Sequence, residues 1–114
     1  MDTQRKKGVL DICVLAVLAR GASYGYKIVG DVSQCIEISE STLYPILRRL
    51  EASGCVTTYR QAHNGRTRKY YALTAAGMEK IREFLLEWKE MQKIYRFIEQ
   101  NSREEEKKCR KQII

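Results

Sequence analysis

A mainly α-helical fold carrying one small β-hairpin is what the 114 residues predict, on three observations. Leu43, Ile46, Leu47 and Leu50 recur at i, i+3, i+4, i+7, the apolar stripe of an amphipathic helix. Asn64-Gly65 sits between two runs of strand-forming residues, and a type I′ hairpin turn needs positive φ at both of its central positions. Ile81, Phe84, Trp88, Met91, Tyr95 and Ile98 then follow at alternating spacings of three and four, the seam of a helix that packs on another helix. Two helices precede these elements. The order is that of a winged helix-turn-helix followed by a long C-terminal dimerisation helix.

Each element has its own justification. Arg5-Lys6-Lys7 and the apolar run after it superficially resemble a signal peptide, but Asp11 interrupts the run and Arg20-Gly21 reads as a turn. The segment from about Arg5 to Ala19 is therefore expected to be a buried first helix. Ser23 is placed to cap a second helix, roughly Tyr24 to Val32. Ser39 caps the third, with Ile38 and Leu43 as a hydrophobic staple and Gly54 as its left-handed end. Pro45 removes one backbone hydrogen bond inside that helix, which is expected to tolerate it near its start. The hairpin spans roughly Cys55–Leu73, and a two-residue turn sets Arg60 opposite Lys69 and Tyr59 opposite Tyr70. Thr74 caps a fourth helix that runs at least to Gln100. The organisation is then a winged helix-turn-helix DNA-binding domain over residues 1–76, a dimerisation helix over 77–102 and a charged tail, frayed or disordered, over 103–114.

Charge points to the partner. Residues 39–73 hold six Lys/Arg against Glu40 and Glu51, so +4 of the net +7 lies there, while the chain beyond residue 73 is nearly balanced. Basic residues concentrated on one helix and one hairpin are the footprint of a nucleic-acid-binding head. The helix face opposite the leucines carries Ser41, Pro45, Arg48, Arg49 and Ala52, and the hairpin tip adds Arg66, Arg68 and Lys69. The competing readings are a solvated helix face and an edge hairpin kept soluble by charge. Nothing recommends an enzyme: the one histidine, His63, lies at the hairpin tip, and there is neither a glycine-rich phosphate loop nor a nucleophile signature. The cysteines Cys13, Cys35, Cys55 and Cys109 have no metal-ligand spacing, so no metal and no cofactor is expected. Cys13 and Cys55 read as small reduced core residues. No run reaches the roughly 18 apolar residues of a membrane span, and a cytoplasmic protein is expected. A metal- or redox-sensing regulator, or a winged helix used only for protein contacts, stays open as an alternative.

Tyr24-Gly25-Tyr26 with Ile28, Thr42-Leu43-Tyr44-Pro45 with Leu47, Arg49-Leu50-Glu51, Gly54, Gly65, Arg68-Lys69-Tyr70-Tyr71, Leu73-Thr74 and Gly77 together resemble the PadR family of transcriptional regulators, in particular the short subgroup with a single C-terminal helix. The resemblance covers most of residues 9–78. It implies a homodimer, usually a repressor, on an inverted-repeat operator in double-stranded DNA. It implies backbone contacts from the start of helix two and base reading from helix three. The DNA candidates are then Tyr24, Lys27, Ser41, Thr42, Tyr44 and Arg48, with Arg66, Arg68 and Lys69 on the wing. The dimer seam is Ile81, Phe84, Trp88, Met91, Tyr95 and Ile98. Trp88 also resembles the tryptophan of the LmrR-type multidrug-sensing members, whose two copies hold a planar aromatic ligand between them. By that resemblance Ile12, Phe84, Trp88, Met91 and Gln92 are the ligand candidates. Drug-binding members favour an acid where this chain has Gln92, and the alternative for Trp88 is a plain dimer-core residue.

Overall fold

The computed structural model describes the backbone of residues 3–113 and the side chains of residues 8–103. Its elements are α1 (Thr3–Leu18), β1 (Ser23–Tyr24), α2 (Gly25–Ser33), α3 (Glu40–Ala52), β2 (Val56–His63), β3 (Arg66–Leu73) and α4 (Ala75–Ile113). The chain divides into two compact units, one ending at Arg82 and the other beginning at Glu83. Among the described residues no helix is long and apolar enough to cross a membrane.

The first unit has one core. α1 supplies Leu10, Val14, Leu15 and Leu18, α2 supplies Ile28 and Val32, and α3 supplies the four expected positions Leu43, Ile46, Leu47 and Leu50. Cys55, Val56 and Tyr71 close it from the sheet side, and Cys13 packs at its margin. Asp11, on the inner side of α1, is nearly buried. It is held by Arg49 of α3, whose Nη2 donates to Oδ1 at 2.8 Å.

Helix α3 begins and ends as its sequence requires. The Ser39 side chain accepts the Thr42 N–H at 3.3 Å. At the other end Cys55 N–H donates to the Leu50 carbonyl at 2.8 Å and Gly54 N–H to the Glu51 carbonyl at 3.1 Å, with Gly54 at φ +79. This is the paired Schellman closure, which only a residue at ease with positive φ completes without strain. Pro45 lies inside the helix without breaking it. The carbonyl it leaves without a helical partner, that of Ser41, is on an exposed turn where water can serve it.

The hairpin has the expected register. Asn64 and Gly65 take φ +52 and +78, Arg60 faces Lys69, and Tyr59 faces Tyr70. The sheet has one strand more than the sequence suggested. Ser23 and Tyr24 form β1, which pairs antiparallel with Tyr71 and Tyr70, so β3 is central in the order β1-β3-β2. The expectation that Ser23 caps α2 is thereby corrected. The cap position is Tyr24, with no side-chain cap bond, and Ser23 is buried with its Oγ unpartnered. A two-residue strand has no periodicity to read, and a serine just ahead of a helix looks like a cap.

A knot of backbone bonds ties the hairpin base to the helices on either side. Thr74 N–H donates to the Cys55 carbonyl at 3.1 Å, and Thr74 Oγ1 donates to the Gly54 carbonyl at 2.6 Å. The same hydroxyl accepts the Gly77 N–H at 3.1 Å and so caps α4 as expected. The helix continues to Ile113, through the segment expected to fray from residue 103. That stretch is rich in Glu, Lys and Arg with neither Gly nor Pro, so propensity alone favours helix there.

Gly77 is the test of the knot. A methyl group there would drive into the Cys55 carbonyl oxygen and the Leu73 side chain. Gly77→Ala gains about 1 kcal/mol of helix propensity but incurs about 1–3 kcal/mol of overpacking against a backbone atom that cannot rotate away. A lower urea midpoint is expected; a midpoint at or above that of the parent chain would show that the knot has slack.

Candidate nucleic-acid interface

Five of the nine DNA candidates line one open groove. Tyr24, Tyr44, Arg66, Arg68 and Lys69 border a depression of about 510 Å³, together with Gly25, Tyr26, Thr67 and Tyr71. It lies along the edge of β3 that β1 leaves unpaired. Because β1 pairs only with Tyr70 and Tyr71, the backbone from Arg66 to Lys69 is open on that side. Tyr44 reaches across from α3 so closely that a Cβ on Gly25 would sit 2.6 Å from its hydroxyl. Glycine at the start of α2 is what lets the two helices approach there. Tyr26, 75 % exposed, went unassigned in the sequence reading although it stands in the same Tyr-Gly-Tyr run.

The wing cations are held differently. Arg68 lies over the Tyr24 ring, with its guanidinium carbon 4.3 Å from the centroid, and is half-buried. Lys69 is on the opposite face of the sheet, 5.5 Å from the Tyr71 ring, and is exposed, as is Arg66. Burial pushes the Tyr71 phenol up; the Glu51 carboxylate adds to this and the Arg48 cation opposes it.

The other four candidates lie outside the groove. Lys27 and Arg48 are exposed on α2 and α3. Ser41 and Thr42 are exposed at the start of α3, where both hydroxyls join Ser39 Oγ at 2.9 and 3.1 Å. Thr42 therefore serves the cap of the helix it was expected to read from. Arg49 needs correction. It shares the outward face by spacing, but its guanidinium turns back onto Asp11 and ties α3 to α1. Helical periodicity places the Cβ and not the end of a long side chain, and only the odd aspartate in the apolar run of α1 hinted at a partner.

In the second unit, α4 leaves Trp88, Met91, Tyr95 and Ile98 exposed. Phe84 is half-buried and stacks on Trp88 with ring centroids 6.3 Å apart and planes 8° from parallel. Gln92 is exposed beside them. A hydrogen bond to Glu99 raises the Tyr95 phenol above its ordinary value. Leu85, Leu86, Ile94 and Phe97 are exposed as well, so α4 carries more apolar surface than the seam expected from sequence. Ile81, expected on that seam, lies in the first unit and packs partly buried against its core. Ile12, a ligand candidate, packs against the same core.

The family model described as "Transcriptional regulator PadR-like family" matches residues 14–83. Among solved structures, a Streptococcus mutans protein is 40 % identical, with a TM-score of 0.70 over 75 % of this chain and 81 % of that one. A PadR family transcription regulator of Clostridium difficile is 30 % identical, with a TM-score of 0.69 over 74 % of this chain and 91 % of that one. Bacillus subtilis PadR in complex with operator DNA is 27 % identical, with a TM-score of 0.62; the match covers 68 % of this chain and 46 % of that chain.

The two adjacent arginines of α3 should separate cleanly in stability measurements. Arg49→Met leaves a nearly buried carboxylate without its partner and should cost about 1–3 kcal/mol. Asp11→Asn frees a half-exposed guanidinium to rehydrate and should cost less, and Arg48→Ala should cost almost nothing. Urea unfolding of the three variants checks the ranking. An Arg48 variant as unstable as Arg49→Met would contradict it.

Proposed function

The chain belongs to the PadR-like family of transcriptional regulators, and from that premise we propose that it acts as a homodimeric repressor on an inverted-repeat operator in the cytoplasm. It is a regulator and not an enzyme. The observation that carries the DNA-facing reading is the groove, around which β1, α2, α3 and the wing bring four tyrosines and three cations. Arg66, Arg68 and Lys69 take backbone phosphates, which fix position without reading sequence. Ser41, Thr42, Tyr44 and Arg48 on α3 read base edges, while Tyr24 and Lys27 at the start of α2 serve the contacts to the DNA backbone. The operator complex of the Bacillus subtilis relative supports DNA as the partner.

The dimer reading rests on α4. Eight large apolar side chains exposed between Leu85 and Ile98 make a patch that a monomer in water would not keep open. A second copy, laid along the seam of Phe84, Trp88, Met91, Tyr95 and Ile98, is the partner the spacing fits. Two-fold symmetry then sets two α3 helices about one DNA turn apart, which a palindromic site matches. Phe84 and Trp88, stacked on one face, offer a planar aromatic ligand a ready surface, with Met91 as adaptable lining and Gln92 as a further wall candidate. A ligand bound there releases the protein from its operator.

Replacing Arg66, Arg68 and Lys69 together by Ala should weaken binding to all duplexes alike and flatten the slope of log K against log salt by about one unit per lost phosphate contact. An unchanged slope would remove the wing from the interface.

Ile98→Asp should turn dimer into monomer in sedimentation and lower operator affinity with it, because a buried carboxylate in the seam has no partner. Trp88→Ala should keep most of the dimer yet lose planar dyes, which in the parent chain quench its single tryptophan. Dyes that leave that fluorescence untouched at micromolar concentration would rule out the ligand site.

A further inference from the structure

The core-facing side of the sheet holds Val56, Tyr71 and Leu73, and the opposite side would ordinarily be polar. Instead it carries an aromatic run. The Tyr59 and Tyr70 rings stack at 5.4 Å with planes 8° from parallel. Tyr24 meets Tyr70 edge-on at 5.5 Å. His63 lies 6.0 Å from Tyr24. These rings are not needed for the core. What they surround is Arg68, two residues from Tyr70 on the same face of β3 and diagonal to Tyr24 across the β1–β3 pairing.

We propose that Tyr24 is the positioning residue for Arg68: its ring face seats the guanidinium over the groove, and its hydroxyl makes no essential contact to DNA. The inference rests on the DNA-binding reading and deepens it. Three features converge. Arg68 is the half-buried cation of the wing, whereas Arg60, Arg66 and Lys69 are exposed. Its guanidinium carbon lies well inside the roughly 6 Å range of a cation–π contact. Tyr24 itself is immobilised, because its backbone pairs with Tyr70 and starts α2. A guanidinium stacked on a ring keeps its edge N–H donors free, and those are the groups that meet a phosphate. A free arginine must give up rotamer freedom on binding; a stacked one has already lost much of it. Arg68 should therefore be worth more to DNA affinity than Arg66, although both carry one charge on the same face.

The test is a set of DNA titrations with a short duplex of arbitrary sequence, since phosphate contacts need no operator. Tyr24→Phe keeps the ring and should bind more tightly than Tyr24→Leu. Tyr24→Leu should bind about two- to fivefold more weakly, the effect of a surface cation–π contact. In an Arg68→Ala background Tyr24→Leu should have no further effect, and this coupling is what a merely structural tyrosine would not show. Tyr24→Phe as weak as Tyr24→Leu would assign the contact to the hydroxyl and overturn the proposal; so would equal losses from Tyr24→Leu with and without Arg68. Should Tyr24→Leu lose its fold, the comparison of Arg68→Ala with Arg66→Ala decides, a larger loss at Arg68 supporting the seat and equal losses overturning it. A parent chain that binds no duplex at all would overturn the DNA-binding reading along with it, whereas failure of the tyrosine variants alone leaves that reading standing.

Discussion

The hydroxyl of Thr74, caught between the Gly54 carbonyl and the Gly77 N–H, is the point on which the arrangement of the first unit turns. The bonds of Thr74 to Gly54 and Cys55 bring together the end of α3, the start of β2, the end of β3 and the start of α4. Its own N–H bonds to Cys55, whose N–H in turn closes α3 on Leu50. Every one of these partners is backbone apart from the threonine, so the geometry cannot be rebuilt by repacking side chains. A wing is useful only at a fixed angle to the helix beside it. A hairpin held at both strand ends to the terminus of that helix has such an angle. Glycine at 77 follows from the same crowding, and glycine at 54 from the left-handed turn that lets the chain reverse into β2.

Basic residues in this fold divide by what they touch. Arg49 is spent on Asp11, an acid set into the apolar side of α1, and the ion pair fixes α3 against α1 where hydrophobic contact alone would permit sliding. Arg48, one residue earlier, is free to face outward. Arg68 is stacked, Lys69 lies over the far face of the sheet, and Arg66 is unrestrained in the open. Equal formal charges therefore differ in entropy and direction, and a count of lysines and arginines misses that difference.

Much of this was legible in the sequence. The α3 leucines, the Ser39 and Thr74 caps, the Gly54 terminus and the Asn64-Gly65 turn were all readable, because each is a local rule with a short range. The register of the hairpin followed from the turn alone. What escaped was non-local. β1 is two residues long and exists because β3, far along the chain, offers it an edge. Arg49 looked like its neighbour until α1 came alongside. Tyr24 and Tyr44 were picked out one by one, but that they share a groove with Arg66, Arg68 and Lys69 depends on the packing of α2 against α3, which no periodicity encodes. The extra apolar residues of α4 were present in the sequence and were passed over because a seam needs only every third or fourth position.

The pairing of Arg60 with Lys69 sets two like charges directly across the ladder, near the end of the hairpin where no core lies beneath them. Such a pair works against its own strands. On the Arg60–Lys69 face the outer half of the wing is therefore held by its turn and its backbone bonds in spite of its side chains, and its amides should exchange with solvent more readily than those near Val56 and Leu73. A polyanion laid against it reverses the sign of that strain, because each cation then has something to neutralise it other than water. Neutralising that pair would therefore stiffen the outer wing.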